Sequence, residues 1–415
     1  MSTPVYPLSS ILYPRRLLVR SVNWIGDAVM TTPALLRLRE ALPDAHIALL
    51  THEKLAGLWV GHPAVNEVIT FAAKEGVLSI AGRLRRAGDL QSPSLAASTS
   101  DGDCKSPARG FDAALVLPNS FRTGLEVRLA GIPRRIGYAG SWRNWLLTEA
   151  VPWRTDVVKM RKRTAEEVRR LVAEADGSAA FRPQQAPSAD GHSCGVNAAL
   201  PATSHHIFNY LHLAAALGAK AEPIAPHIAV SDAEVAAVKS KFNLPAGLLI
   251  GLNAGAEYGV AKRWPADRFI AAAKELRARL NCSFVIFGGP SDTVLAAEIA
   301  TAIGGASSGS VANLAGRTSL RELCVALRAC RVVLTNDTGP MHLAAAVGAR
   351  VVGLFGSTSI ELTGPGLPDD SRHTLLRGEA PCAPCFLREC PVDFRCMKSL
   401  SVEAVVAALE RAASA

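Results

Sequence analysis

Short apolar runs alternate with helix-length segments along both halves of this chain, and that alternation limits the fold more than any other feature. In the first half, residues 17–22, 46–50, 67–71, 113–117 and 135–138 have the length and apolar content of strands, and residues 28–42 carry helical periodicity. Residues 210–217 are helical again. In the second half, residues 248–252, 283–287, 332–334 and 351–355 read as strands, and residues 267–280 and 320–327 as helices. Residues 401–413 form a closing helix with Ser401 as cap and Glu403 in its first turn. Strands that alternate with helices predict parallel sheets covered on both faces, an α/β fold. Residues 223–226, with a proline at each end, read as a hinge between the halves. Two such halves predict a cleft, with ligands beyond the carboxyl ends of the strands.

Two stretches interrupt the pattern. Residues 88–110 and 177–204 are rich in small and polar residues, have little to bury, and read as mobile surface insertions. The rest has a soluble balance, with 49% hydrophobic and 20% charged residues. No run approaches the roughly 18–20 apolar residues of a membrane span. Pro4, Pro7 and Pro14 precede Arg15 and Arg16, the wrong order for a signal peptide, so the chain reads as cytoplasmic. The formal charge of +9 suits an anionic ligand, an anionic membrane surface or nucleic acid. Basic residues are scattered except between Arg154 and Arg170, where a solvated helix face is the plain explanation. No zinc-finger or RNP-type pattern accompanies that cluster, which disfavours nucleic acid.

The residues at the strand ends carry the chemistry. Thr335-Asn336-Asp337-Thr338-Gly339-Pro340-Met341-His342 follows an apolar run and precedes a helical segment that Gly348 closes. Pro340 suits a first helical turn. Backbone N–H groups and the helix dipole there favour an anion such as a nucleotide diphosphate, with Asp337, Thr338 and His342 beside it. The plain alternative is a strand–helix turn capped by Asp or Thr. After the first strand comes Ser21-Val22-Asn23-Trp24-Ile25-Gly26-Asp27, where Gly26 permits close backbone approach. Asp27 is either an N-cap or a general base for a substrate hydroxyl. After the first strand of the second half, the loop from Asn253 and Ala254 through Glu257 ends in Lys262-Arg263-Trp264-Pro265. Its cations suit a mobile clamp on a leaving group, or a basic surface loop. Gly288-Gly289-Pro290 and Phe355-Gly356-Ser357-Thr358 either line a nucleoside pocket or turn the chain.

Several chemistries are missing: no P-loop, no G-x-G-x-x-G after the first strand, no H-E-x-x-H and no G-x-S-x-G. Of nine cysteines, Cys104, Cys194, Cys282, Cys324 and Cys330 are isolated. Cys382, Cys385, Cys390 and Cys396 cluster as C-x2-C-x4-C-x5-C, without the second C-x2-C of a zinc ribbon. A structural metal site and an unbonded or redox-sensitive loop both stay open.

Asn23-Trp24-Ile25-Gly26-Asp27 with Thr32-Pro33-Ala34-Leu35, then Ala261-Lys262-Arg263-Trp264-Pro265, then Asn336-Asp337-Thr338-Gly339-Pro340-Met341-His342 together resemble the lipopolysaccharide heptosyltransferases, glycosyltransferase family nine. The wording is most similar to the heptosyltransferase II branch. The resemblance implies a GT-B fold, two Rossmann-like parallel-sheet domains facing a cleft. It divides the chain into an acceptor-binding domain (14–222), a nucleotide-sugar-binding domain (223–400) and the closing helix (401–415). It implies ADP-heptose as donor, heptosyl-Kdo-lipid A as acceptor, and inversion with no catalytic metal or cofactor. Asp27 becomes the catalytic base and Lys262 the group that neutralises the leaving ADP. Gly26, Asn253, Ala254, Glu257, Asp337, Thr338, Gly339, Pro340, Met341 and His342 become substrate-binding residues. The acceptor is a lipid, so the resemblance also implies peripheral attachment to the cytoplasmic face of the inner membrane. Two competing readings stand beside it: a related transferase with another nucleotide sugar or core acceptor, and a non-catalytic nucleotide-sugar-binding protein.

Overall fold

In a computed structural model of the chain, the structure describes residues 13–89, 110–140, 142–158, 160–177, 200–304 and 309–415. The interiors of the two expected insertions lie outside the described residues, as do Cys104, Cys194 and Lys159. A helix, Val77–Asp89, runs into the first expected insertion, and a short turn, Ala202–Ser204, falls at the end of the second.

Contacts divide the chain into two compact units, and the division does not follow chain order. The first holds Met1–Asn23, Thr31–Thr155 and Ile207–Pro223. The second holds Ile224–Ala415 together with Trp24–Met30 and Asp156–His206.

The first unit is built on strands β1 (Arg16–Arg20), β2 (His46–His52), β3 (Glu67–Phe71), β4 (Ala113–Val116), β5 (Arg134–Tyr138) and β6 (Glu149–Val151). They form one parallel sheet in the order β3-β2-β1-β4-β5-β6. The second unit carries β7 (Leu249–Asn253), β8 (Ser283–Phe287), β9 (Val311–Asn313), β10 (Val332–Asn336), β11 (Arg350–Phe355) and β12 (Thr374–Arg377). Its sheet is also parallel, ordered β12-β11-β10-β7-β8-β9. The predicted α/β class is therefore observed, twice. Strand order reverses between β1 and β4 in one sheet and between β7 and β10 in the other, and such switch points are where these sheets bind ligands.

Continuous apolar strands explain the cores. Leu17, Leu18 and Val19 of β1 and Val332, Val333 and Leu334 of β10 are wholly buried, as expected for parallel strands covered on both faces. The edge strands β6, β9 and β12 escape a reading by apolar runs because edges are short and partly solvated. β10 runs two residues past the apolar run, through Thr335 and Asn336. Both are buried, but their side chains find partners, so the ladder continues. At the end of the helix Gly339–Ala346, Gly348 adopts φ +89°, the left-handed conformation that its place after the helix calls for. Ser401 accepts a hydrogen bond from the Ala404 N–H and caps the helix Val402–Ser414. In the basic cluster, Arg161 and Arg163 pair with Glu167, and Arg154 lies over the Phe208 ring.

A buried ion pair fixes the end of β1. Arg20 and Glu126 are 1% and 0% exposed, and Arg20 Nε donates to Glu126 Oε2 at 2.8 Å. Arg20 Nη1 also donates to the Ser21 carbonyl and to Asn23 Oδ1, and the guanidinium lies 4.4 Å from the Phe71 ring centroid. The turn that leads to Asp27 is thus tied to the sheet by a residue whose charge is compensated inside the core. Glu126→Leu should strand that guanidinium and destabilise the protein by about 3–5 kcal/mol, whereas Arg20→Met with Glu126→Leu should recover most of the loss. Urea unfolding of the three proteins tests this; an undiminished midpoint in Glu126→Leu would show that the pair is not structural.

Candidate active site

The helix Ile25–Ala41 opens with a bond from the Ala28 N–H to the Trp24 carbonyl at 2.9 Å. Trp24 therefore occupies the capping position, and Asp27 lies inside the first turn. This corrects the N-cap alternative for Asp27. Its half-buried carboxylate sits where the positive end of the helix favours an anion.

The helix Gly339–Ala346 begins directly after β10, with Pro340 in its first turn. Thr338 occupies its capping position but makes no capping side-chain bond, and Asp337 does not cap it either. The Asp337 carboxylate is turned to other partners: Lys262 Nζ donates to Oδ2 at 2.7 Å and to the Asp337 carbonyl at 3.2 Å, and Thr358 Oγ1 donates to Oδ2 at 2.6 Å. Lys262 and Asp337 side chains are 13% and 4% exposed, so this is a largely desolvated pair. In the first turn of this helix the Met341 N–H donates to the Thr338 carbonyl at 3.0 Å.

Two glycines bring these helix starts together within the second unit. A Cβ on Gly26 would lie 2.8 Å from His342 Cδ2, and one on Gly339 would lie 2.8 Å from Ile25 Cβ. Neither space admits a side chain. As a result Gly26, Asp27, Glu257, Lys262, Asp337, Thr338, Gly339 and His342 line one pocket of about 360 Å³. The remaining predicted substrate-binding residues do not line it. Asn253 is buried and donates through Nδ2 to Thr335 Oγ1 at 3.0 Å; the Ala254 carbonyl accepts from Asn336 Nδ2 at 2.8 Å. These contacts stitch β7 to β10 beneath the pocket. Met341 is wholly buried in the core, and Pro340 serves the helix start.

The loop that carries Lys262 is held from the cysteine-rich segment. The Ala261 N–H donates to the Arg388 carbonyl at 3.0 Å, and Tyr258 Oη donates to the Phe386 carbonyl at 3.0 Å. A Cβ on Gly259 would lie 2.3 Å from the Arg388 carbonyl oxygen. Lys262 Nζ and the Arg388 guanidinium each lie 5.0 Å from the centroid of the Tyr258 ring. Trp264 anchors the far end, donating through its ring N–H to the Leu400 carbonyl and through its backbone N–H to Asn336 Oδ1. Arg263 pairs with Asp292 at 3.0 Å, and Asp292 accepts the Gly289 N–H. Gly288 and Gly289 thus serve packing, while Thr358 reaches the site through Asp337.

Sequence reasoning missed Trp24, His206, Tyr258 and Arg388, all of which line the pocket. His206 follows a stretch that reads as insertion, and Arg388 lies inside the cysteine cluster, so neither stands at a recognisable strand end. Burial pulls the His206 pKa down, while the nearby Asp27 and Asp337 carboxylates oppose the shift. Cys382, Cys385, Cys390 and Cys396 are free thiols, and burial raises Cys382 to about 11 and Cys396 to about 12. Burial thus keeps the Cys382 and Cys396 thiols protonated at neutral pH. Among the described residues, no three His, Cys, Asp or Glu side chains are arranged to hold a metal ion.

Residues 107–394 match the sequence profile of glycosyltransferase family 9 (heptosyltransferase). The chain belongs to glycosyltransferase family 9. This family 9 enzyme is 29% identical over 352 residues to a Salmonella typhimurium protein named lipopolysaccharide heptosyltransferase 2, covering 84% of this chain and 85% of that one. Its fold is similar to that of Escherichia coli ADP-heptose LPS heptosyltransferase II, with TM-score 0.67 at 24% identity, covering 96% of this chain and 98% of the other. It is also similar to a family 9 glycosyltransferase from Veillonella parvula, with TM-score 0.68 at 21% identity over 98% and 99% of the two chains. The two parallel sheets are thus those of a GT-B glycosyltransferase.

Burial pushes His205 and His342 of the family 9 enzyme from an ordinary 6.5 down to about 4. Below about 6.5 the unfolded chain binds protons that the folded chain refuses until about 4, so stability should be constant above this window and fall as pH drops through it. Urea unfolding across the range should show this slope, and His342→Gln should flatten it; equal slopes in both proteins would mean His342 is not the linked group.

Proposed function

We propose that this protein is an inverting heptosyltransferase that moves L-glycero-D-manno-heptose from ADP-heptose to the heptosyl-Kdo-lipid A inner core during lipopolysaccharide biosynthesis. One observation carries the reading: a carboxylate in the first turn of a helix, Asp27, and a fixed cation, Lys262, share a pocket with the start of the helix Gly339–Ala346. The names of the relatives, lipopolysaccharide heptosyltransferase 2 and ADP-heptose LPS heptosyltransferase II, support the choice of sugar, donor and acceptor.

In this mechanism Asp27 takes the proton of an acceptor hydroxyl as its oxygen attacks the anomeric carbon. The bond from that carbon to the diphosphate breaks on the opposite face, which inverts the centre. Negative charge grows on the departing ADP, and Lys262 and the N–H groups at the start of the Gly339–Ala346 helix oppose it. An ammonium has three donors. Two go to Asp337, which fixes the position of Nζ and leaves the third for a phosphate oxygen. Because the cation is held before the donor arrives, little reorganisation accompanies bond breaking.

Release of ADP from ADP-heptose should depend on heptosyl-Kdo-lipid A and should vanish in Asp27→Ala while donor binding persists. Lys262→Ala should slow transfer by about 10²-fold or more, the scale of losing one preorganised charge contact. Acceptor-independent release, or a wild-type rate in either variant, would remove that residue from its role.

The reading extends to peripheral attachment at the cytoplasmic face of the inner membrane. No helix among the described residues is long and apolar enough to cross a membrane, and the formal charge is +9. The protein should bind anionic vesicles and leave them as salt rises to about 0.5 M. Retention at that salt would argue against electrostatic attachment.

A further inference from the structure

The pocket that holds Asp27 and Lys262 contains a second cation, Arg388, that the mechanism above leaves unused. Arg388 is exposed to solvent, so a ligand can reach its guanidinium. That guanidinium enters no ion pair or hydrogen bond with any described residue.

Charge balance gives the first argument. Among the described residues, the charged groups that line the pocket are the carboxylates of Asp27, Glu257 and Asp337 and the cations Lys262 and Arg388. Burial lowers the His206 pKa and holds His342 at about 4, so neither ring adds a positive charge at neutral pH. Lys262 is committed to Asp337, at 2.7 Å in a largely desolvated pair. Each phosphate of a nucleotide sugar's diphosphate carries a negative charge, and both must enter beside these carboxylates. Among the described residues, the lining cation not already spent on a carboxylate is Arg388.

Placement gives the second. The backbone of Arg388 is pinned to the loop that carries Lys262: its carbonyl accepts the Ala261 N–H at 3.0 Å, and a Cβ on Gly259 would lie 2.7 Å from Arg388 Cα. The Tyr258 ring, held at its hydroxyl by the Phe386 carbonyl, then sets both cations, with the guanidinium carbon and Lys262 Nζ each 5.0 Å from its centroid. A guanidinium held over a ring keeps its N–H edge for an anion, and its planar fork matches two phosphate oxygens. We propose that Arg388 is a second donor-binding residue, whose N–H fork binds the diphosphate alongside Lys262. The inference rests on the transferase reading of this pocket. It also gives the cysteine-rich segment a part in binding, since that segment presents Arg388.

The test titrates the full chain with inorganic pyrophosphate by calorimetry. Wild-type protein should bind it, and Arg388→Ala should weaken binding about tenfold or more, the scale of losing a hydrogen bond to a charged group. Arg388→Ala keeps the backbone carbonyl that holds the Lys262 loop, so its urea midpoint should match that of wild type. Arg388→Lys keeps the charge without the fork and should recover only part of the loss. No binding by wild type, undiminished binding by folded Arg388→Ala, or full recovery in Arg388→Lys would each overturn the proposal. Should the variants fold poorly, the wild-type protein decides alone: the Arg388 Nε–H resonance should move as pyrophosphate saturates the site, and a stationary signal overturns the proposal. Pyrophosphate carries no base, sugar or acceptor. Pyrophosphate binding through Arg388 without heptose transfer would therefore sink the transferase reading alone, and transfer with undiminished pyrophosphate binding in Arg388→Ala would sink this inference alone.

Discussion

The close approach of two helix starts governs the second unit. Gly26 faces His342 and Gly339 faces Ile25, at separations that no Cβ could occupy. Each glycine exists to let the other helix in. Both helices start at the carboxyl end of a strand, so both turn a positive dipole end to the same space. Two like dipole ends repel, and carboxylates at each start offset that field. Asp27 lies in the first turn of one helix and Asp337 directly before the other, and their nearness to His206 reports the same concentration of charge.

The Lys262–Asp337 pair answers the second difficulty of such a site, which is how to keep a cation buried without a ligand. A desolvated ammonium is costly alone, but here it meets a carboxylate, a carbonyl and an aromatic face. Asp337 is in turn held by Thr358, and the Lys262 loop by Arg388, Phe386 and Asn336. The cation is therefore positioned from several elements of the second unit. That rigidity is what electrostatic catalysis requires, because a charge that must reorient during reaction gives up much of its effect.

The cysteine-rich segment has a physical role in this arrangement that needs no sulfur chemistry. It carries the two carbonyls that hold the Tyr258–Lys262 loop and the guanidinium that shares the Tyr258 ring. Its own packing is apolar: Cys382, Cys385 and Leu387 gather with Val168 and Val172. Buried thiols act here as small hydrophobic side chains.

The α/β class, most strand positions and the three strand-end motifs follow from the sequence alone, because burial on both faces writes parallel strands as apolar runs and ligand-bearing turns as glycine and small polar residues. Lys262, Asp27 and the Asp337–His342 turn were legible for that reason. Local pattern could not reveal which motif residues face the pocket. Asn253, Ala254, Pro340 and Met341 stand in the same motifs as true lining residues, yet they serve the β7–β10 junction, a helix start and the core. Nor could it reveal His206, Tyr258 or Arg388, which come to the pocket from distant segments with no shared spacing. Side-chain period tells a residue which face of its own element it occupies; what lies opposite that face is decided only when the elements pack.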